Sequence, residues 1–346
     1  METMKAIIKA VPGPGASLAN VEVPKVGPKE VLVKIKAIGI CGTDVHIYTW
    51  DEWASHRIKP PRIFGHEFVG EVVEVGKDVT LVKPGDYVSA ETHIACGKCY
   101  YCRTGNAHIC ENVKILGVDV DGAYAEYIAI PEENAWKTDR SIPPEVAAIQ
   151  EPFGNAVHAT LIEDITAKSV AVFGLGPIGL MSVAIAKAAG ASKIFAVEPS
   201  DYRRSFAEKM GADFVINPNE TDPISYILDH TSGLGVDVVL EMSGSEAALK
   251  AGLRVLKKGG VASLLGIPSK PVTIDITENV IFKYLRLYGI NGRLMFRTWY
   301  QVQELLASKR VDLTPIITHR MKLEQFDEAM KLLIDKQAVK IVLYPE

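Results

Sequence analysis

Apolar positions in the first 150 residues come in short alternating runs that Gly and Pro interrupt. Glu30–Ile35, Phe68–Val75 and Tyr87–Ser89 read as strands, and Gly76-Lys77-Asp78 and Lys83-Pro84-Gly85-Asp86 read as turns. No long helical period occurs there, so a β-rich domain of the partly open barrel kind is expected. The pattern changes after Ile142-Pro143-Pro144. Ser169–Phe173 is short and apolar enough for a parallel strand. Pro177 suits the first turn of a helix and Gly190 its end. Lys193–Val197, Phe214–Ile216, Val236–Leu240, Val261–Leu265 and Leu287–Ile290 continue as strands. Helices are expected over Tyr202–Met210, stopped by Gly211, and near Glu246–Leu256. This alternation predicts an α/β fold in which a doubly wound parallel sheet follows the β-rich domain. From about Arg297 the pattern is mixed again, and the tail is expected to rejoin the first domain. The predicted division is 1–153 with 297–346, and 154–296.

With 346 residues the chain is long enough for two cores. A net charge of −4 without a basic block argues against nucleic acid or an anionic membrane as partner. Val170–Ala186 carries no charge, but Gly174, Gly176, Pro177 and Gly179 divide it. It reads as strand, turn and helix rather than as a membrane span. The amino terminus has no apolar segment behind a basic one, so a cytoplasmic protein is expected.

The divided segment carries chemistry. Gly174-Leu-Gly176-Pro-Ile-Gly179 follows a strand and opens a helix, the context that makes this pattern a dinucleotide site. The first glycine permits the tight turn, the second lets backbone approach a pyrophosphate, and the third lets helix and strand pack. The helix N-terminus adds N–H groups and partial positive charge. Glu198 ends the next strand, about twenty residues on, where a carboxylate binds free ribose hydroxyls and repels a 2′-phosphate. NAD is therefore expected over NADP. Arg203 and Arg204 stand nearby, either as a solvated helix face or as adenine and ribose contacts.

Four of the five cysteines, Cys96, Cys99, Cys102 and Cys110, fall within fifteen residues. Such a cluster suits a closed tetrahedral zinc site that holds a lobe together. Two disulfides are the plain alternative. An iron–sulfur cluster fits less well, because the last gap is long and Glu111 rather than Pro follows. Three further blocks stand apart: Cys41-Gly-Thr43-Asp-Val-His46, Gly65-His66-Glu67 and Glu151-Pro-Phe-Gly-Asn-Ala-Val-His158. A lone cysteine is usually a small buried hydrophobe. Together, however, the blocks offer sulfur, nitrogen and carboxylate oxygen, the ligand types of an open catalytic zinc site.

These blocks, the four-cysteine lobe and the glycine motif occur in the order of the zinc-containing medium-chain dehydrogenases, which the whole chain resembles. Cys41-Gly-Thr-Asp-Val-His-Ile-Tyr-Thr-Trp-Asp-Glu-Trp53, Glu151-Pro-Phe-Gly-Asn155 and Asp312-Leu-Thr-Pro-Ile-Ile-Thr-His319 look like the threonine-oxidising branch. The resemblance implies a GroES-like catalytic domain, a Rossmann domain and a homotetramer. It also implies two zinc ions per chain, the catalytic one on Cys41, His66 and Glu67. Glu151 stands where other alcohol dehydrogenases place a ligand cysteine, so either glutamate could meet the metal. Thr43 would accept the hydrogen bond of the substrate hydroxyl, and the proton would reach His46 through the cofactor ribose. Cofactor contacts are implied at Pro177, Ile178, Arg203, Leu265, Gly266, Ile267, Ile290 and Asn291. The expected reaction oxidises the β-hydroxyl of L-threonine to 2-amino-3-oxobutyrate. Asp51, Glu52 and Glu151 would supply the negative side for the substrate ammonium, and Arg293 or another basic residue would meet its carboxylate. His93, just before the cysteine lobe, either lines the substrate pocket or is structural. The alternatives are a polyol or 2,3-butanediol dehydrogenase and a non-catalytic protein that binds NAD and zinc.

Overall fold

The computed structural model describes residues 2–345. They form two compact units: the chain up to Pro152 with Leu294–Gln303 and everything from Ile317, and Phe153–Arg293 with Glu304–Ile316.

The first unit is built around strand Glu30–Gly39. It pairs antiparallel with Glu67–Val75, with Tyr127–Pro131 and with Lys340–Tyr344 from the far end of the chain. Ile317–Lys322 extends this sheet on one side, Tyr87–Ala90 and Ala135–Lys137 on the other. The register sets both Glu67 and Val342 opposite Gly39. A side chain at Gly39 would collide with the Glu67 carboxylate. Phe64, Tyr124 and Phe326 fill the core edge to face, with centroids 4.9 to 5.6 Å apart. Such pairs add about 0.5–1.5 kcal/mol each beyond the area they bury. The helices before Pro152 are short, the longest being Gly42–Thr49 at eight residues, in keeping with the lack of helical period.

In the second unit six parallel strands run in the order Phe214–Ile216, Lys193–Val197, Ser169–Phe173, Val236–Glu241, Leu256–Leu264, Arg286–Gly289. Numbered along the chain this is 3-2-1-4-5-6, the Rossmann order. Every residue of Ser169–Phe173 is buried, because helices cover both faces of such a sheet.

Of the helices, one is shorter than expected and one was not anticipated. Tyr202–Met210 is helical only over Asp201–Arg204. Beyond it, the amides of Phe206 and Ala207 bond three residues back, to Arg203 and Arg204, so the winding tightens into turns. Conversely, Gln150–Thr160 is an eleven-residue helix despite Pro152 and Gly154. Proline costs nothing in a first turn, whose N–H groups have no helical partner. Among the described residues no helix is long and apolar enough to cross a membrane.

Candidate active site

Cys41 follows the central strand and caps helix Gly42–Thr49. Asp44, fully buried, accepts from the Cys41 amide at 2.8 Å and from the Tyr124 hydroxyl at 2.6 Å, fixing the start of the helix. Gly65, with φ +83, turns the chain just before His66 and the strand that Glu67 opens. A Cβ there would lie 2.8 Å from the Tyr124 ring. As a result Cys41, His66 and Glu67 present ligand atoms within 4.8 Å of one another.

The electrostatics of this cluster call for a cation. Burial opposes a charge on His66, but Cys41, Asp44 and Glu151 outweigh it and push its pKa up to about 10. His66 Nδ1 lies 4.0 Å from Asp44 Oδ1 and makes no hydrogen bond among the described residues. A sulfur, a nitrogen and an oxygen around excess negative charge fit a divalent zinc ion. The carboxylate is not idle meanwhile. Lys340 Nζ, itself buried, donates to Glu67 Oε1 at 2.7 Å and to the Ile40 carbonyl at 2.8 Å. Glu151 stands at the first turn of its helix, and its Oε1 accepts from Thr92 Oγ1 at 3.0 Å. Its charge is felt by both His66 and Glu67, so it faces the same centre from one step further out.

Thr43 Oγ1 lies 3.8 Å from Cys41 Sγ. His46, one turn along the helix, is exposed, and its Nδ1 lies 2.6 Å from Asp51 Oδ2. The loop 91–93 is firmly held. Buried Glu91 accepts from Trp299 Nε1 and from the His93 amide, both at 2.8 Å, and lies 3.5 Å from His93 Nδ1. Asn134 donates to the carbonyls of Glu91 and His93.

The four-cysteine lobe gathers Cys96, Cys99, Cys102 and Cys110 within 4.8 Å as free thiols. Cys99 Sγ is 3.5 Å from Cys102 Sγ and 3.8 Å from Cys110 Sγ. A zinc tetrahedron with Zn–S of about 2.3 Å has edges of about 3.8 Å, whereas a disulfide would need about 2.05 Å. The amides of Lys98 and Cys99 pull the Cys96 thiol down to about 6, while burial pushes Cys102 up to about 12. This second donor set also fits zinc.

In the second unit the glycine turn has the geometry its motif predicts. Gly174 takes φ +90, and a Cβ at Gly179 would strike the Gly174 carbonyl. A Cβ at Gly176 would meet nothing within 4 Å, so that position is open to a ligand. Pro177 begins the helix, and Ile178 is half-buried in its first turn. Glu198, 5% exposed, accepts from the Leu175 amide at 2.8 Å and the Ser200 amide at 3.0 Å. Half-buried Arg203 keeps its Nε without a hydrogen bond among the described residues, whereas Arg204 is spent on the carbonyls of Glu198 and Pro199. Leu265, Gly266 and Ile267 follow the fifth strand of this sheet, and Ile290 and Asn291 the sixth. All lie at carboxyl ends of strands, where dinucleotides bind in such sheets. Ile267 is 90% exposed.

Residues 27–140 match the alcohol dehydrogenase GroES-like domain and residues 177–308 the zinc-binding dehydrogenase family. The L-threonine 3-dehydrogenase of Caldanaerobacter subterraneus subsp. tengcongensis is 57% identical over 99% of either chain. The chain belongs to the zinc-binding dehydrogenases. Among solved structures, a zinc-binding dehydrogenase from Sinorhizobium meliloti bound to NADP matches this one with a TM-score of 0.92 at 30% identity, covering 100% of both chains. The 2R,3R-butanediol dehydrogenase of Bacillus subtilis matches with a TM-score of 0.89 at 30% identity, covering 99% of this chain and 100% of its own.

Two sequence expectations about this dehydrogenase change. Asp51 is not a free acid awaiting an ammonium, since it serves His46 and caps the next helix at the Ala54 amide. Arg293 is fully buried against Gly154, with its guanidinium on Asn155 Oδ1 at 3.2 Å. Sequence reasoning also missed residues that support the centre. Asp44 stood inside a quoted motif, three residues from Cys41, the spacing of a capping box. Lys340 gave no local signal, because only the pairing of its strand beside Glu30–Gly39 brings it to Glu67.

Proposed function

We propose that this dehydrogenase oxidises the β-hydroxyl of L-threonine to 2-amino-3-oxobutyrate, with NAD as oxidant and two zinc ions per chain. The observation that carries the reading is 57% identity over nearly the whole chain to an L-threonine 3-dehydrogenase, joined to the cluster of Cys41, His66 and Glu67. When bound, zinc supplies Lewis acidity toward the hydroxyl and NAD accepts the hydride.

The chain's own residues do the rest. Cys41, His66 and Glu67 hold the metal, and Glu151 sets the charge around it and faces the substrate. Thr43 orients the hydroxyl and takes its hydrogen bond, and His46 passes the proton to solvent. Cys96, Cys99, Cys102 and Cys110 hold the structural ion. Gly174, Gly176, Pro177, Ile178 and Gly179 seat the pyrophosphate, and Glu198 and Arg203 the adenosine ribose. Leu265, Gly266, Ile267, Ile290 and Asn291 flank the remainder of the cofactor. A cytoplasmic homotetramer is part of this reading. The apolar Ile276, Ile281, Phe282 and Tyr284, all more than half exposed beside the edge strand Arg286–Gly289, support self-association.

The second reading, a diol dehydrogenase, draws on the likeness to the butanediol enzyme. The test is an assay of the zinc-loaded protein with NAD and L-threonine, 2,3-butanediol and sorbitol, with metal counted by elemental analysis. Turnover of L-threonine that disappears in Thr43→Ala while two zinc ions remain is expected. Absence of threonine turnover, or a zinc count of one, would refute the corresponding part.

A further inference from the structure

We propose that Asp51 is a positioning residue for the proton exit: it fixes the ring of His46 with Nδ1–H toward its carboxylate, leaving Nε2 as the proton acceptor. The inference rests on the reading of His46 as the last member of the relay.

The local fold is arranged to make this pair. Helix Gly42–Thr49 ends at Trp50, whose φ of 60 and ψ of 49 reverse the chain. The amides of both Trp50 and Asp51 bond back to the His46 carbonyl, at 3.0 and 3.3 Å. Asp51 is thereby returned to the side of His46 and divides its two oxygens. Oδ1 accepts from the Ala54 amide at 2.9 Å as the cap of helix Glu52–Arg57. Oδ2 lies 2.6 Å from His46 Nδ1. Trp53, the second residue of that helix, meets the imidazole edge to face at 6.3 Å and limits its rotation. The Ala54 amide and His46 outweigh burial and hold the Asp51 carboxyl below its usual range, so it is an ionised acceptor at neutral pH. A neutral imidazole beside an acceptor-only partner places its hydrogen on Nδ1.

Several other charged groups around these helices are committed elsewhere, and Glu52 is exposed. Asp44 holds Tyr124 and the Cys41 amide. Lys9 donates to the carbonyls of Gly13 and Gly15 and lies over the Trp50 ring. Asp327 accepts from the Tyr48 hydroxyl, and Arg57 pairs with Asp119. Among the described residues, Asp51 is the charged group placed against His46 Nδ1.

Asparagine separates the two duties of this residue. In Asp51→Asn the side-chain oxygen still caps Ala54, but the amide nitrogen faces His46 and donates to Nδ1. The imidazole hydrogen must then move to Nε2, and the acceptor is lost. Asp51→Ala, in contrast, loses the cap but leaves the ring free to choose.

The experiment compares Asp51→Asn, Asp51→Ala and His46→Asn in zinc-loaded full-length enzyme, with melting temperatures and turnover with and without high concentrations of a small buffer base. Asp51→Asn is expected to keep its melting temperature and its KM within about twofold, yet lose about tenfold or more in kcat, partly restored by the buffer base. Asp51→Ala should melt lower and lose less kcat than Asp51→Asn. An Asp51→Asn enzyme with unchanged kcat, while His46→Asn is slow, overturns the positioning role and leaves the relay standing. Unchanged kcat in His46→Asn removes the relay itself, and the proposal with it.

Discussion

Lys340 Nζ lies 2.7 Å from Glu67 Oε1, and neither side chain reaches solvent. A residue near the end of the chain thus neutralises a proposed zinc ligand near its beginning, and the Ile40 carbonyl takes another of its protons. Burial pushes the Glu67 carboxyl up against the pull of Lys340, with Glu151 adding to the push. The ammonium opposes that rise and favours the charged carboxylate.

Removing that ammonium should be costly until the partner is removed too. Lys340→Met in metal-stripped protein leaves a buried carboxylate without its counter-charge, a loss of about 3–5 kcal/mol. Lys340→Met/Glu67→Gln should recover a large part of that loss. Urea unfolding measures both, and a double variant at least as unstable as the sum of the two singles would deny the coupling.

His66 predicts how the stripped and loaded proteins respond to pH. In the stripped protein its pKa is raised from 6.5 to about 10. A raised pKa contributes stability that is complete below 6.5 and is lost as pH rises through the folded value. Zinc competes with that proton, so its affinity rises over the same window. The melting temperature of stripped protein should therefore fall between pH 6.5 and about 10, and its gap to the zinc-loaded protein should widen. A gap that is constant or narrows with rising pH would contradict this account of the cluster.

What could be read in the chain beforehand depended on how local the cause was. Ser169–Phe173, Gly174 to Gly179 and Glu198 lie within one βαβ segment, and the physics of strand, turn and phosphate contact is written in consecutive residues. The four-cysteine lobe is equally local. The helix carrying Glu151 was not legible, because Pro152 looks like a breaker until its place in the first turn is known. Asp51 was readable as an acid but not as the partner of His46, because that pairing depends on the left-handed turn at Trp50. Lys340 lay furthest out of reach, since strand order and not sequence distance brings it to Glu67.

Glu198 makes a prediction with two parts. Its carboxylate accepts from Leu175 and Ser200 amides, so it shapes the glycine turn as well as presenting charge to a ribose. Glu198→Gln loses the charge, keeps one acceptor and turns an NH2 donor toward the other amide, whereas Glu198→Ala loses the charge and both acceptors. Both variants should narrow the preference for NAD over NADP, because repulsion of a 2′-phosphate is gone. Glu198→Ala should also weaken NAD itself by about tenfold, and Glu198→Gln by less, because it keeps one of the two acceptors. Titration of each cofactor by fluorescence separates the two effects. An unmodified enzyme that binds NADP as tightly as NAD would show that Glu198 does not discriminate.

Selectivity for L-threonine over a diol is the prediction on which the substrate assignment turns. Threonine brings an ammonium and a carboxylate beside the hydroxyl, and each must find a partner or cost several kcal/mol on burial. Asp51 is engaged by His46 and Ala54, and Arg293 lies buried on Asn155. On the proposed reading the negative side of the pocket is Glu151, which imposes its charge on His66 and Glu67, whereas Glu52 is exposed. A pocket of that kind should bind an uncharged diol poorly, because the diol leaves the carboxylate unmatched. Catalytic efficiency with L-threonine should exceed that with 2,3-butanediol or sorbitol by at least about tenfold, or about 1.4 kcal/mol. Glu151→Gln should erode the efficiency with threonine more than that with 2,3-butanediol, since only threonine offers the ammonium. Equal losses with both substrates would confine Glu151 to the metal. Equal or better efficiency with a diol in the unmodified enzyme would overturn the threonine assignment and leave the zinc-binding dehydrogenase intact.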